Sequence, residues 1–292
     1  MPRVAFAKMQ GIGNDFVVVT ENALAGMDHV EAAQRLCAHH FGVGSDGLLV
    51  IGAARRAGAA FRFEMRNPDG TLDMCGNGLR CAALLAHRLG MLPSGEFSIE
   101  TQDGLLPARL IEVSDDGASA IVQVRMEVPR FAPASAIPFA RPLDKAAALA
   151  CEIDLPRIDR RLSVSMVNTG STHSVAFVDE LPGEDEFAAI SPLVENHPLF
   201  PERTSLLWAR QDGPSDFTVR IWERAVGETY GCGTGACAVA ATAIATGRAE
   251  RRTPVTVRSK GGALTLSWPS DDAPITMTGP AQWIFDGAAT VG

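Results

Sequence analysis

The chain has 292 residues, 46% hydrophobic and 21% charged, the mixture of a folded protein of one large or two medium domains. Its 26 Lys and Arg stand against 34 Asp and Glu, giving a net charge of −8 with no basic cluster, which excludes a surface built on nucleic-acid phosphates. No apolar run reaches the roughly 18 residues of a membrane span, and residues 1–10 lack the features of a signal peptide, so a cytoplasmic location is expected.

Val4–Lys8 and Asp15–Thr20 are β-rich runs around a Gly-x-Gly turn, and Val30–His40 reads as a helix. Leu48–Ile51 and Phe61–Met65 read as strands, followed by an Asn67-Pro-Asp-Gly70 turn. Cys75-Gly-Asn-Gly78 introduces an Ala/Leu-rich helix from about Leu79 to Leu89, stopped by Gly90, and strands continue to Val128. Glu127 to Lys145 contains Pro129, Pro133, Pro138 and Pro142 and reads as an extended linker. The second half repeats the order: strands, Cys232-Gly-Thr-Gly235, an Ala-rich helix to Thr246, Gly247, and strands again.

This repetition has a register. At an offset of 157, Met9 falls on Met166, Gly13 on Gly170, Cys75 on Cys232, Gly76 on Gly233, Gly78 on Gly235, and Gly90 on Gly247. With one insertion, Ile99 meets Val257, Gly104 meets Gly262 and Leu106 meets Leu264. An ordered set of matches at nearly one offset points to an internal duplication. The expected fold is α+β: two pseudo-symmetric domains, each a mostly antiparallel sheet wrapped around a central helix. The expected boundaries are 1–128 for the half with Cys75, 129–145 for the linker and 146–277 for the half with Cys232.

The six cysteines include no Cys-x-x-Cys pair and no His at zinc-ligand spacing, so no metal site is expected. Cys75 and Cys232 differ from the rest because each immediately precedes a helix. A helix N-terminus carries unpaired N–H groups and partial positive charge, which favour a thiolate and bind a carboxylate. Two such cysteines at equivalent positions, one on each wall of a cleft, suit the inversion of an amino-acid α-carbon: a base acts on one face and an acid on the other. Oriented amides at the substrate carboxylate then stabilise the carbanion without a cofactor. A pyridoxal Schiff base finds no suggestive lysine among Lys8, Lys145 and Lys260. Gly42-Val-Gly44-Ser-Asp-Gly47 matches a dinucleotide pattern but lies between a helix and a strand, the wrong polarity for that fold.

At these residues the sequence resembles the diaminopimelate epimerase family. Lys8–Phe16, Asn67–Thr71, Met74–Cys81, Glu223-Arg224, Gly227–Cys237 and Met277–Gly287 look like its signatures, in order along the chain. The resemblance implies a cofactor-independent isomerase converting LL-diaminopimelate to the meso form, a precursor of lysine and peptidoglycan. Cys75 and Cys232 would be acid and base, with His173 and Glu223 as the polar pair assisting their ionisation. The amides of Gly76-Asn77 and Gly233-Thr234 would bind the α-carboxylate, with Asn14 positioning the substrate and Asn67 and Arg224 meeting its far end. The C-terminal tail, 278–292, would return to the first domain. Partners would be a small amino-acid substrate, with neither nucleic acid nor membrane; a homodimer is compatible with this reading.

Two departures bear on the substrate. Gly170-Ser-Thr-His173 stands where the family has Gly-Asn-Pro-His, and Ser205 stands where it has Asn after Glu-Arg-Val. Ser171 and Ser205 each lack an amide expected near the distal end, and serine offers one donor where that amide offers two. A related racemase for another amino acid, such as histidine or a basic one, therefore stays open. So do a dithiol redox protein, which also uses paired low-pKa thiols, and a binding module using the same cleft.

Overall fold

The computed structural model describes residues 3–93, 95–131 and 137–291. They form two compact units, 1–125 with 278–292, and 126–277.

The first unit contains β1 (Arg3–Gly11), β2 (Asn14–Thr20), α1 (His29–Leu36), β3 (Gly47–Gly52), β4 (Ala59–Arg66), β5 (Leu72–Asp73), α2 (Gly76–Arg88), β6 (Glu96–Thr101), β7 (Gly104–Val113) and β8 (Ser119–Arg125). The second contains α3 (Lys145–Leu149), β9 (Cys151–Leu155), β10 (Arg160–Asn168), β11 (Thr172–Val178), α4 (Glu184–Glu195), β12 (Ser205–Gly213), β13 (Asp216–Glu223), β14 (Gly227–Thr229), α5 (Gly233–Ala245), β15 (Val255–Ser259) and β16 (Gly262–Ser267). The last strand, β17 (Thr276–Thr290), belongs to the first unit from Thr278 onward.

In the first unit β1, β2, β3, β4, β6, β7, β8 and β17 pair in turn, and β17 also pairs with β1, so the sheet closes into a barrel. From β17 through β1 and on to β8, neighbours run antiparallel except β2–β3 and β4–β6. The same order recurs in the second unit, where β11–β12 and β13–β15 are the parallel pairs. With one residue inserted before β12 the registers coincide too: Val18 faces Leu49 across the first of these pairs, and Val175 faces Leu207 across its counterpart. The duplication legible at an offset of 157 is thus a duplication of strand order and pairing.

The barrel needs a filling, and α2 supplies it. Every residue from Gly76 to Ala86 is buried, and the helix touches β1, β2, β3, β4 and β8. In the second unit α5 is apolar almost all round and packs on β10, β11, β12, β15 and β16. A helix that is apolar on every side is stable only when enclosed. Small residues let the strands approach it. A Cβ on Gly78 would lie 3.0 Å from Leu49 Cδ2, and one on Gly235 would lie 2.8 Å from Leu207 Cδ2. The second glycine of each Cys-Gly-x-Gly is therefore a packed helical residue, fixed by close approach.

Three expectations need correction. The helix expected over Val30–His40 ends at Leu36, with Cys37 as its C-cap, and the chain then turns through 38–46. The helix after Cys75 starts at Gly76 and not at Leu79, so Cys75 is its N-cap. The Pro-rich segment, expected to be an extended linker between the halves, belongs to the second unit, which begins at Met126. Arg130 forms a backbone bridge with Asn168, while Ile137 and Phe139 enter the core with Trp208 and Phe200. The apolar residues between the prolines explain this, because burying them outweighs the disorder that Pro-rich composition favours. Pro133 itself lies outside the described residues, as do Met1, Pro2 and Gly292.

Candidate active site

In the first unit the half-buried Cys75 follows β5 and caps α2 with extended backbone, φ −127° and ψ 116°. The backbone N–H of Leu79 bonds to Cys75 O, so the amides of Gly76, Asn77 and Gly78 lack an intrahelical acceptor by their position in the first turn. The expectation of a lowered thiol pKa fails here. Burial pushes the Cys75 thiol up to about 11, against the weaker pull of the Gly78 and Asn77 amides and of Arg80. Removing the sulfur anion from water costs more than the helix end returns.

Asn77 does not turn toward the thiol. Its Nδ2 donates to Asn14 Oδ1 at 2.6 Å, and its Oδ1 accepts from Arg80 Nη2 at 2.8 Å. Asn14 Nδ2 in turn donates to Asp46 Oδ2 at 3.0 Å, which also accepts the Asp15 amide. Asn14 and Asn77 are therefore tied together beside the helix start that Cys75 caps. Sequence reading gave Arg80 no role, yet it is fully buried beneath this end, also donating to Gly76 O and to Pro280 O. The one available signal was an Arg one turn into the helix, ahead of the apolar run from Cys81 to Ala86. Asn67 sits apart on its turn, donating through Nδ2 to Thr71 Oγ1 at 3.1 Å and Asp73 Oδ2 at 3.2 Å.

In the second unit Cys232 caps α5 with nearly the same backbone, φ −130° and ψ 116°. Its surroundings differ. The sulfur accepts the Gly235 amide at 3.3 Å and lies 3.4 Å from Thr234 Oγ1. Thr234 Oγ1 is 3.0 Å from His173 Nε2, and Thr169 Oγ1 donates to Thr234 O at 2.8 Å. His173 lies on β11 between Val167 of β10 and Ser205 of β12. Burial, with Arg224 adding repulsion, drops its pKa to about 3, so the imidazole is neutral.

Ser205 Oγ accepts the Arg224 amide at 3.0 Å, and Arg224 Nη1 donates to Glu202 O. Glu223 ends β13 opposite Gly227, and Ser171 lies in the turn between β10 and β11, its carbonyl accepting the Thr169 amide. A further residue escaped sequence reading. Glu195, buried at the end of α4, accepts Trp222 Nε1 at 2.7 Å, the Ala225 amide at 2.9 Å and Arg203 Nη1 at 3.2 Å. It fixes the turn that carries Arg224, where Ala225 adopts φ +67°. Nothing local in the sequence marks it, since its partners lie 8 to 30 residues away.

The structure thus brings His173, Thr234 and Cys232 together in one unit, and Asn14, Asn77 and Cys75 in the other. Among the described residues no group of His, Cys, Asp and Glu is arranged to hold a metal ion. No helix among them is long and apolar enough to cross a membrane.

The fold is shared with solved α+β proteins. The Bacillus anthracis phenazine biosynthesis protein of the PhzF family matches with a TM-score of 0.70 over 100% of both chains, at 17% identity. Sequence goes further. The diaminopimelate epimerase family profile matches residues 6–132 and 165–284. The diaminopimelate epimerase of Desulforudis audaxviator (strain MP104C) is 41% identical over 284 residues, 97% of this chain and 98% of its own. That of Laribacter hongkongensis (strain HLHK9) is 37% identical over 290 residues, 99% and 100% of the two chains. Such likeness over nearly full length defines an isomerase. The chain belongs to the diaminopimelate epimerase family.

Proposed function

We propose that the protein epimerises LL-diaminopimelate to the meso form without a cofactor, with Cys75 and Cys232 as the two proton-transferring groups. The observation that carries this is the pair of cysteines capping equivalent helices with matching backbone. One sulfur removes the α-proton as thiolate, and the other thiol returns a proton to the opposite face. The amides of Gly76-Asn77 and Gly233-Thr234 hold the α-carboxylate, where negative charge develops in the transition state. Asn14 orients the substrate. Asn67 and Arg224 meet its second polar terminus, the guanidinium suiting a carboxylate. His173 and Glu223 assist ionisation, His173 as a neutral group.

The test is a deuterium-exchange screen in D2O, with diaminopimelate isomers beside the common L-amino acids, histidine and the basic ones included. Diaminopimelate should gain solvent deuterium at the inverted carbon while the others stay unlabelled. A shorter amino acid that exchanges while diaminopimelate does not would overturn the substrate assignment. It would direct attention to Ser171 and to Ser205, whose hydroxyl is committed to the Arg224 amide. Oxidation and reduction of the thiols with no α-exchange in any amino acid would favour a dithiol redox protein.

A further inference from the structure

Thr234 occupies the position equivalent to Asn77, 157 residues on, but its side chain goes elsewhere. Asn77 turns to Asn14 and Arg80, whereas Thr234 Oγ1 stands between His173 Nε2 and Cys232 Sγ, at 3.0 and 3.4 Å. The direction of these bonds follows from a count of protons. A neutral imidazole carries one N–H, and His173 Nδ1 is buried without a partner. Buried N–H groups without an acceptor are rarer than unsatisfied acceptors, so the proton belongs on Nε2, where it meets Thr234 Oγ1. The threonine oxygen then accepts from the ring, and its single O–H is left to point at the sulfur. With the Gly235 amide, two donors converge on Cys232 Sγ.

We propose that the Thr234 hydroxyl, oriented by His173 Nε2–H, is a positioning residue that donates a hydrogen bond to Cys232 Sγ and stabilises its thiolate. This side-chain role is separate from the carboxylate-binding amide of the same residue. It rests on the reading of Cys232 as a reacting thiol. Hydrogen bonds to a charged form favour that form, and a single hydroxyl serves because it accepts and donates at once. Of the ionisable groups, His173 on β11 bonds to Thr234, Arg224 at the close of β13 acts on His173, and Glu127 lies across Gly170 from Thr234. The Glu127 carboxylate and the Thr234 methyl both lie near Cα of Gly170, each 3.6 Å from a Cβ built there.

The experiment measures the pH dependence of alkylation at each cysteine by iodoacetamide, resolved by peptide mass analysis, in the full chain. Thr234→Val and Thr234→Ala should both raise the midpoint for Cys232 by about one pH unit, roughly tenfold less thiolate below the midpoint. Thr234→Ser should restore the wild-type curve, and the Cys75 curve should stay in place in all three variants. Hydroxyl-free variants that keep the wild-type Cys232 midpoint would overturn the proposal, as would a parallel movement of the Cys75 midpoint, which marks general distortion. Turnover plays no part in this readout. A shifted Cys232 midpoint in a protein that exchanges no α-hydrogen would sink the epimerase reading and leave the hydrogen bond standing.

Discussion

The two helix starts share a backbone and differ in chemistry. Cys75 and Cys232 cap their helices at dihedrals that agree within a few degrees, and a leucine presses on the second glycine in both. Beyond that the halves part. Under α2 lies the buried guanidinium of Arg80, whose equivalent on α5 is the thiol of Cys237. The side chain of Asn77 is bound away from its cysteine, while that of Thr234 is bound toward its own. The Gly78 and Asn77 amides pull on Cys75 but burial outweighs them, while Cys232 accepts the Gly235 amide and has the Thr234 hydroxyl beside it. Duplication supplied two equal scaffolds, and the third residue of each motif, Asn77 or Thr234, gives the two sulfurs different neighbours. A reaction that uses one thiolate and one thiol needs only a single proton shared between the two sulfurs, so the difference in surroundings bears on which sulfur holds it.

The largest effect should come from removing either sulfur. Cys75→Ser and Cys232→Ser should each lower turnover by about 10²- to 10⁴-fold, the usual contribution of a positioned acid or base. The halves should then separate by stereochemistry. A variant with one thiol left can exchange the α-proton only of the isomer that presents it to that thiol, without inverting it. Proton NMR in D2O of each stereoisomer with each variant reads this out. Equal exchange from both stereoisomers in one variant would break the division of labour between the two thiols.

A second contrast lies in the turns bearing Asn67 and Arg224, again 157 apart. The first is organised by exposed groups: Asp69 accepts from Thr71 Oγ1 and the Thr71 amide, which hold its carboxyl below the usual range. The second is held by buried Glu195, for which the first half offers only Ala38 at the equivalent position. Glu195→Ala leaves the Trp222 indole and the Ala225 amide without an acceptor, and a buried orphan costs about 1–3 kcal/mol. Urea denaturation should show a loss in that range or above, with KM rising more than kcat falls because the Arg224 turn loosens. Asp69→Ala should be far milder in both measurements. A reversed order would mean that Glu195 does not position the turn.

Much of this was legible because it is written twice. The match of Cys75, Gly78 and Gly90 to Cys232, Gly235 and Gly247 located both central helices and their stops, though it began the first of them three residues late, and β-rich runs located the strands around them. Interactions that cross the chain without repeating were not legible. Glu195 reaches residues on other elements, and Arg80 is matched by no charge in the other half. The same holds for the stop at Leu36, where Gly42 is pinned by close backbone: a Cβ there would collide with Arg35 O and Leu36 O. The Cys75 thiol shows a further limit. Sequence reveals a helix end beside a cysteine, but how far burial opposes that field depends on atoms from distant segments.

The smallest expected effect tests the shared scaffold itself. Gly90 and Gly247 end the two central helices at φ +69° and +73°, and a Cβ at either meets nothing within 4 Å. Alanine at each position therefore costs only the left-handed conformation, about 1 kcal/mol, and the two variants should lose the same amount in urea denaturation. Gly70 and Gly227 are also equivalent, at φ +92° and +97°, but their surroundings differ. A Cβ on Gly70 would run into Val30 of α1, whereas one on Gly227 would have Trp222 no nearer than 3.8 Å. Gly70→Ala should thus add an overpacking cost of about 1–3 kcal/mol to the backbone cost, and Gly227→Ala should not. Equal losses at Gly70 and Gly227 would show that α1 yields to the added methyl. Unequal losses at Gly90 and Gly247 would show that even the repeated frame has diverged.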